Sequence, residues 1–177
     1  MPIIIDGTGT ISGVSATGLT TAQTVSASSI TTGTLPKGQL PTGSVLQILT
    51  DTQSGEQSTT STSFTNTALS VTITPTSSTS KIFLLYTGSS GNDGAQESYL
   101  TFVRNSTNLG NGTAGLMRIW FNGSSSYHFA GMSMSFLDSP ATTSAVTYTV
   151  QFRTNSGIAY ISGANSTDSF TVFEIAA

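Results

Sequence analysis

FTNTALSVTITPTSSTSKIFLLYT, running from Phe64 to Thr87, is the stretch on which the fold turns. Leu69, Val71 and Ile73 alternate with Ser70, Thr72 and Thr74. That period of two belongs to a strand with one face on a core and the other in water. Pro75 closes the run, because a residue without an N–H cannot continue a ladder, and Thr76 to Ser80 supply a turn. The next run, Ile82 to Tyr86, is apolar on both faces. Such a strand belongs inside a sandwich, or has one face on a core and the other on a partner subunit.

Working outward, strand signals recur at 45–49, 98–103, 115–121, 127–137, 145–153, 158–162 and 169–175, separated by turn clusters that include Ser89–Gly94, Asn122–Ser126 and Gly163–Asp168. This spacing predicts an antiparallel β-sandwich, jelly-roll-like, over residues 45–177. The last strand is apolar on both faces and is expected in the interior. Composition agrees. About a third of the 177 residues are Ser or Thr and only 7% are charged, against roughly 25% in ordinary domains. Strand formers and turn formers dominate, and no stretch carries a helical stripe. The class is all-β.

Charge excludes some functions. The net charge is −3, and the five basic residues Lys37, Lys81, Arg104, Arg118 and Arg153 are scattered, so no phosphate-tracking stripe exists and nucleic acid is not an expected partner. No run approaches the ~20 apolar residues of a membrane span. The start, Met1 to Ile5, is too short and lacks the basic residue of a secretory signal, so synthesis and retention in a cytoplasm are expected. Without cysteine, disulfides and thiolate metal sites are excluded, and burial between subunits is the expected supplement to stability.

Residues 1–44 differ from the rest. Apolar residues are sparse there, and no aromatic residue precedes Phe64. Such a segment buries too little to offset ordering its backbone, at ~1–2 kcal/mol per residue. Through it and into the next residue, Val25, Ile30, Leu35, Leu40 and Val45 fall five apart, and Pro36 and Pro41 keep the same step. Proline favours extended chain, so the repeat suits several copies running side by side with these residues on a shared axis. A flexible Pro/Gly linker is the other reading.

ITTGTLPKGQLP resembles the neck elements of bacteriophage tail fibres, and the opening IIIDGTGTISGVSATGLTTAQTVSASSI resembles the N-terminal segment of tail-fibre and virion proteins from marine and cyanobacterial phages. The stretch SFTNTALSVTITPTSSTSKIFLLYTGSS and the ending FTVFEIAA resemble the first and last strands of the head domain in those proteins. Lys37-Gly38-Gln39 stands where such necks often carry Ala-Arg. The resemblance implies a docking arm over 1–20, with Ile3, Ile4, Ile5, Ile11, Val14 and Leu19 meeting the tail or baseplate. It implies an intertwined neck over 21–44 and a trimeric head over 45–177 that adheres to a host-surface glycan or protein. The location would then be the virion, after synthesis in the host cytoplasm. A capsid decoration or head-fibre protein would use the same parts, and a cellular adhesin module is a further reading.

No catalytic constellation is visible, so no enzyme, cofactor or metal is expected. His128 is the sole histidine, expected as a partly buried strand residue, and no nucleophile elbow accompanies it. Eight carboxylates are spread mostly one per loop. A carbohydrate-active enzyme would need two of them brought within ~5–9.5 Å. Asp93 and Glu97 offer too few ligands for a calcium loop. Four Asn-X-Ser/Thr sequons are expected by chance in so Ser/Thr-rich a chain. Aromatic residues gather between Trp120 and Phe136, and aromatic faces with polar neighbours can hold sugars. Trp120 and Phe129 are expected in the core or a subunit interface. Asn92, Asp93, Asn122 and Tyr127 are the expected receptor contacts.

Overall fold

The computed structural model describes residues 40–94, 96–120, 127–163 and 165–177. The expectations for residues 1–39 and for Asn122 lie outside the described residues. Eleven strands run in chain order: β1 (Val45–Ser54), β2 (Gln57–Thr59), β3 (Thr65–Ile73), β4 (Lys81–Asn92), β5 (Glu97–Arg104), β6 (Thr107–Asn108), β7 (Met117–Trp120), β8 (His128–Asp138), β9 (Val146–Thr154), β10 (Ala159–Ile161) and β11 (Thr167–Ile175).

All pairings between these strands are antiparallel. In the first sheet, β8 covers one edge of β4 while β11 and β10 lie end to end along the other. Beyond them β1 pairs β11 and β2 pairs β10. The sheet is therefore four columns wide: β1/β2, β11/β10, β4, β8. The second sheet has the same width, with β3, β9, β5 and then β7 and β6 sharing the last edge. Two four-column sheets connected in this order form the jelly roll.

β3 and β4 do not form a hairpin. Pro75 and the following turn carry the chain from one sheet to the other. Leu69, Val71 and Ile73 of β3 and Ile82, Leu84 and Tyr86 of β4 enter one core from opposite sheets, together with Phe102, Val150, Phe152, Phe170 and Val172, all buried. Phe102 and Phe170 stack at 5.2 Å across the layers. A polar lock joins the sheets near the start of β4. Arg104 donates to both oxygens of Asp138 at 2.8 Å, and the Tyr148 hydroxyl donates to the same carboxylate at 2.7 Å. Burial and then that hydrogen bond hold the Tyr148 phenol far above its usual pKa.

The sequence places a turn at Ser89–Gly94, but β4 continues to Asn92. The reason is tertiary. Ser90 and Gly91 lie between Ala130 and Phe129 of β8 and Ile161 and Tyr160 of β10, so both edges of the strand find ladder partners that local propensity does not foresee.

Candidate functional site

Gly43 and Ser44 meet Ala176 at one end of the sandwich. Gly43 N–H donates to Ala176 O at 2.8 Å, and Ala176 N–H donates to Ser44 O at 2.9 Å. These bonds flank the first rung of β1, Val45 opposite Ile175. Leu40 lines a cavity of about 260 Å³ here with Leu46, Thr76, Ser80 and Ala177. Of the expected neck axis, Leu40 thus stands at the base of the head and Val45 is already a strand residue.

Beside this entry the outer face of the first sheet is apolar. Ile48, Phe173, Phe83 and Leu137 lie in register across four strands. Phe83 and Phe173 meet at 5.9 Å, while Ile48 is 56% and Leu137 55% exposed. The next row is Thr50, Thr171, Leu85 and Ser135. Under this end, Glu174 is fully buried. Its carboxylate accepts from Gln47 Nε2 (2.6 Å), Thr76 N–H (2.6 Å), Thr76 Oγ1 (2.7 Å) and Ser80 Oγ (2.7 Å). Burial alone would raise its pKa, but the hydrogen bonds to the ionised form outweigh it and the pKa is lowered.

The opposite end is aromatic. It lies ten residues along β4, roughly 33 Å away at strand rise. Gly91 is flanked in register by Phe129 and Tyr160, and their rings close over the bare glycine at 5.9 Å. Tyr127, just before β8, has φ +80°, a conformation that bulky residues seldom adopt. Its ring meets Phe129 and Tyr160 edge-on, each at 5.1 Å, and its hydroxyl donates to Glu56. Phe129 also packs on Gly163, where an added Cβ would lie 2.8 Å from the ring. Tyr127, Phe129, Gly163, Ser89 and Ser166 line an open cleft of about 250 Å³. Burial, followed by the charges of Asp93 and Glu56, raises the Tyr160 phenol.

The floor of this cleft is tied down by Asp168, which is fully buried where β10 gives way to β11. It accepts from Tyr86 OH (2.5 Å), Ser89 N–H (3.1 Å) and Ser162 N–H (3.0 Å). Here desolvation wins over the hydrogen bonds, and the pKa is raised. Tyr86, buried against it, is pushed far above the ordinary phenol range.

Among the residues expected to contact a receptor, Tyr127 sits on the surface, 47% exposed. Asp93 is half-buried, and its Oδ1 accepts from Ile158 N–H at 2.7 Å, bracing the approach to β10. Asn92 requires a correction. It is fully buried on the inner face of β4, with Nδ2 donating to Gln96 O at 2.8 Å, so its side chain does not reach the surface a receptor would meet. Trp120 is 59% exposed and is not a core residue. Phe129, Tyr160, Ser89, Gly163 and Ser166 were not expected in the contact set, because only the register of three strands and a turn brings them together.

Other polar groups are bound up in the architecture. His128 is half-buried on the inner face of β8, opposite Asn92. Arg153 is clamped between Tyr99 (3.8 Å) and Phe64 (5.4 Å), and its guanidinium donates to the carbonyls of Thr113, Thr62 and Thr154. Glu97 pairs with Arg118 and accepts from Tyr99. Among the described residues no three His, Asp or Glu side chains gather as a metal site, and no helix is long and apolar enough to cross a membrane. Compared with known proteins, the chain matches no family model and no curated sequence.

Proposed function

We propose that the chain is a bacteriophage virion protein of the tail-fibre type, a homo-oligomer whose head adheres to the host cell surface while residues 1–44 link it to the tail. One observation carries the adhesive part: the head is polar end to end. The chain enters beside Ala176 at one end, and the exposed aromatic cleft opens at the other. A tethered domain meets a surface with the end opposite its tether. The motifs around Leu35–Pro41 and Phe64–Thr87 support the virion part by resemblance. The apolar row Ile48–Phe173–Phe83–Leu137, on the outer face beside the entry, supports association of copies there, and the resemblance implies three. The mechanism is binding, with weak contacts multiplied across copies.

Cryo-microscopy of virions, with antibody against the head, tests the location. Density at the tail is expected. Density on the capsid would replace the tail fibre with a decoration protein, and absence from virions would overturn the reading. Incubation with host polysaccharide is expected to release no reducing ends; sustained release would make the protein an enzyme.

A further inference from the structure

We infer that the distal cleft formed by Tyr127, Phe129, Gly163, Ser89 and Ser166 is a binding site for an uncharged pyranose ring. This rests on the adhesive reading above and deepens it.

The walls fit one face of a sugar. Tyr127 and Phe129 line the cleft with their rings edge to face, and Tyr160 packs against both and holds their angle; aromatic surfaces take the apolar C–H faces of amphipathic ligands. The two serines supply the polar side, and their protons are fixed by the network. Ser166 Oγ donates to Gly163 O at 2.8 Å, and Gly163 N–H donates to Ser89 Oγ at 2.9 Å. The 3.1 Å contact between the hydroxyls therefore has Ser89 as donor. Each oxygen keeps one lone pair free, since a hydroxyl has one proton and two acceptor sites. The serines thus face a ligand as acceptors, matching the O–H groups of a sugar.

Charge narrows the class. Glu56 holds Tyr127 and acts with Asp93 on Tyr160, so the cleft sits in a negative field. None of the four basic side chains among the described residues lines it. Lys81 is at the opposite end of β4, where it bonds Ser139. Arg104 and Arg118 pair with Asp138 and Glu97, and Arg153 is clamped under Tyr99. An acidic sugar would meet repulsion without a compensating cation; a neutral ring would not.

The test uses the full-length protein and ligand-observed NMR. The probes are the methyl glycosides of glucose, galactose, mannose and N-acetylglucosamine, with that of glucuronic acid as the acidic arm. At least one neutral glycoside should bind in the roughly millimolar range of a single shallow site, and the glucuronide about tenfold more weakly at low salt. Tyr127→Ala should abolish binding. Phe129→Leu, which keeps cover over Gly91 and Gly163, should weaken it about tenfold or more. In Glu56→Gln/Asp93→Asn the neutral and acidic affinities should converge. No binding of any neutral glycoside at about 50 mM, a glucuronide as tight as the neutral ligands, or indifference to both aromatic variants overturns the site. The same protein is tested on cells of the infected bacterium. Cell binding without neutral-glycoside binding or competition sinks the pyranose site and keeps the adhesin. Glycoside binding without cell binding keeps the site and sinks the adhesin.

Discussion

The two ends of the outer sheet face are built from different apolar chemistry. Near the chain entry the exposed residues are aliphatic and flat, Val45, Ile48 and Leu137 around the Phe83–Phe173 pair. At the far end the exposed residue is Tyr127, set at an angle to the half-buried Phe129 and Tyr160 beside a cleft with hydroxyls and carboxylates near it. Between them on β8 lie only Gly131, Ser133 and Ser135 on that face. A flat aliphatic row suits a surface like itself, whereas angled amphipathic rings suit a small polar ligand. One β-sheet thus carries two surfaces that call for different partners.

The buried carboxylates repeat the contrast. Glu174, at the entry, takes four hydrogen bonds from three residues, and Asp168, under the cleft, takes three. Their pKa values move in opposite directions. The largest expected effect is at Asp168. Asp168→Ala orphans two buried N–H groups and a phenol, at ~1–3 kcal/mol each, and should cost roughly 3–5 kcal/mol in denaturant unfolding. An effect under about 1 kcal/mol would mean water replaces the carboxylate.

The pH dependence of stability sharpens the same comparison. Glu174 has a lowered folded pKa, so its contribution is complete above the ordinary value of 4.5 and fades as pH falls through the folded value. Asp168 has a raised folded pKa. Its term therefore favours the fold most at low pH, and stability declines as pH climbs from the ordinary value of 3.8 through the folded one. Melting curves across this acid range should show Glu174→Gln losing part of the gain that the parent makes on leaving acid. Asp168→Asn should lose the opposing decline. Parallel pH profiles for the two variants would erase the distinction.

Smaller effects are expected on the surface. Ile48→Lys with Leu137→Lys should reduce the mass seen by light scattering to that of a single chain, with stability of the isolated head within about 1 kcal/mol of the parent. An unchanged oligomer would move the interface off this row. Tyr127→Ala should change unfolding free energy least, by about 0.5 kcal/mol or less at so exposed a ring, while removing adhesion to cells. Lost adhesion together with lost stability would make Tyr127 a structural strut.

The strands were legible where side-chain period and burial coincide. Leu69–Ile73 and Val146–Phe152 alternate in the sequence and bury the expected face. The interior place of β11 follows from its two apolar faces. Ser89–Gly91 misled because small polar residues look like a turn, and only the neighbours on both sides make them strand. The same holds for the cleft. Tyr127 belongs to the aromatic cluster visible in the sequence, but Tyr160, Gly163 and Ser166 reach it through pairing with β4, and long-range register leaves no local signature. Asn92 looked like a loop residue for the same reason.

The pairing of Gly43 and Ser44 with Ala176 has a mechanical consequence. On the tethered reading proposed above, a pull transmitted through the preceding residues would enter at Val45, the start of an edge strand bonded to β11 along its length, while a receptor would hold the far end. The two forces then run along the strands and across the rungs, so that β1 is loaded in shear. Its rungs share the tension and cannot be peeled apart singly from the entry.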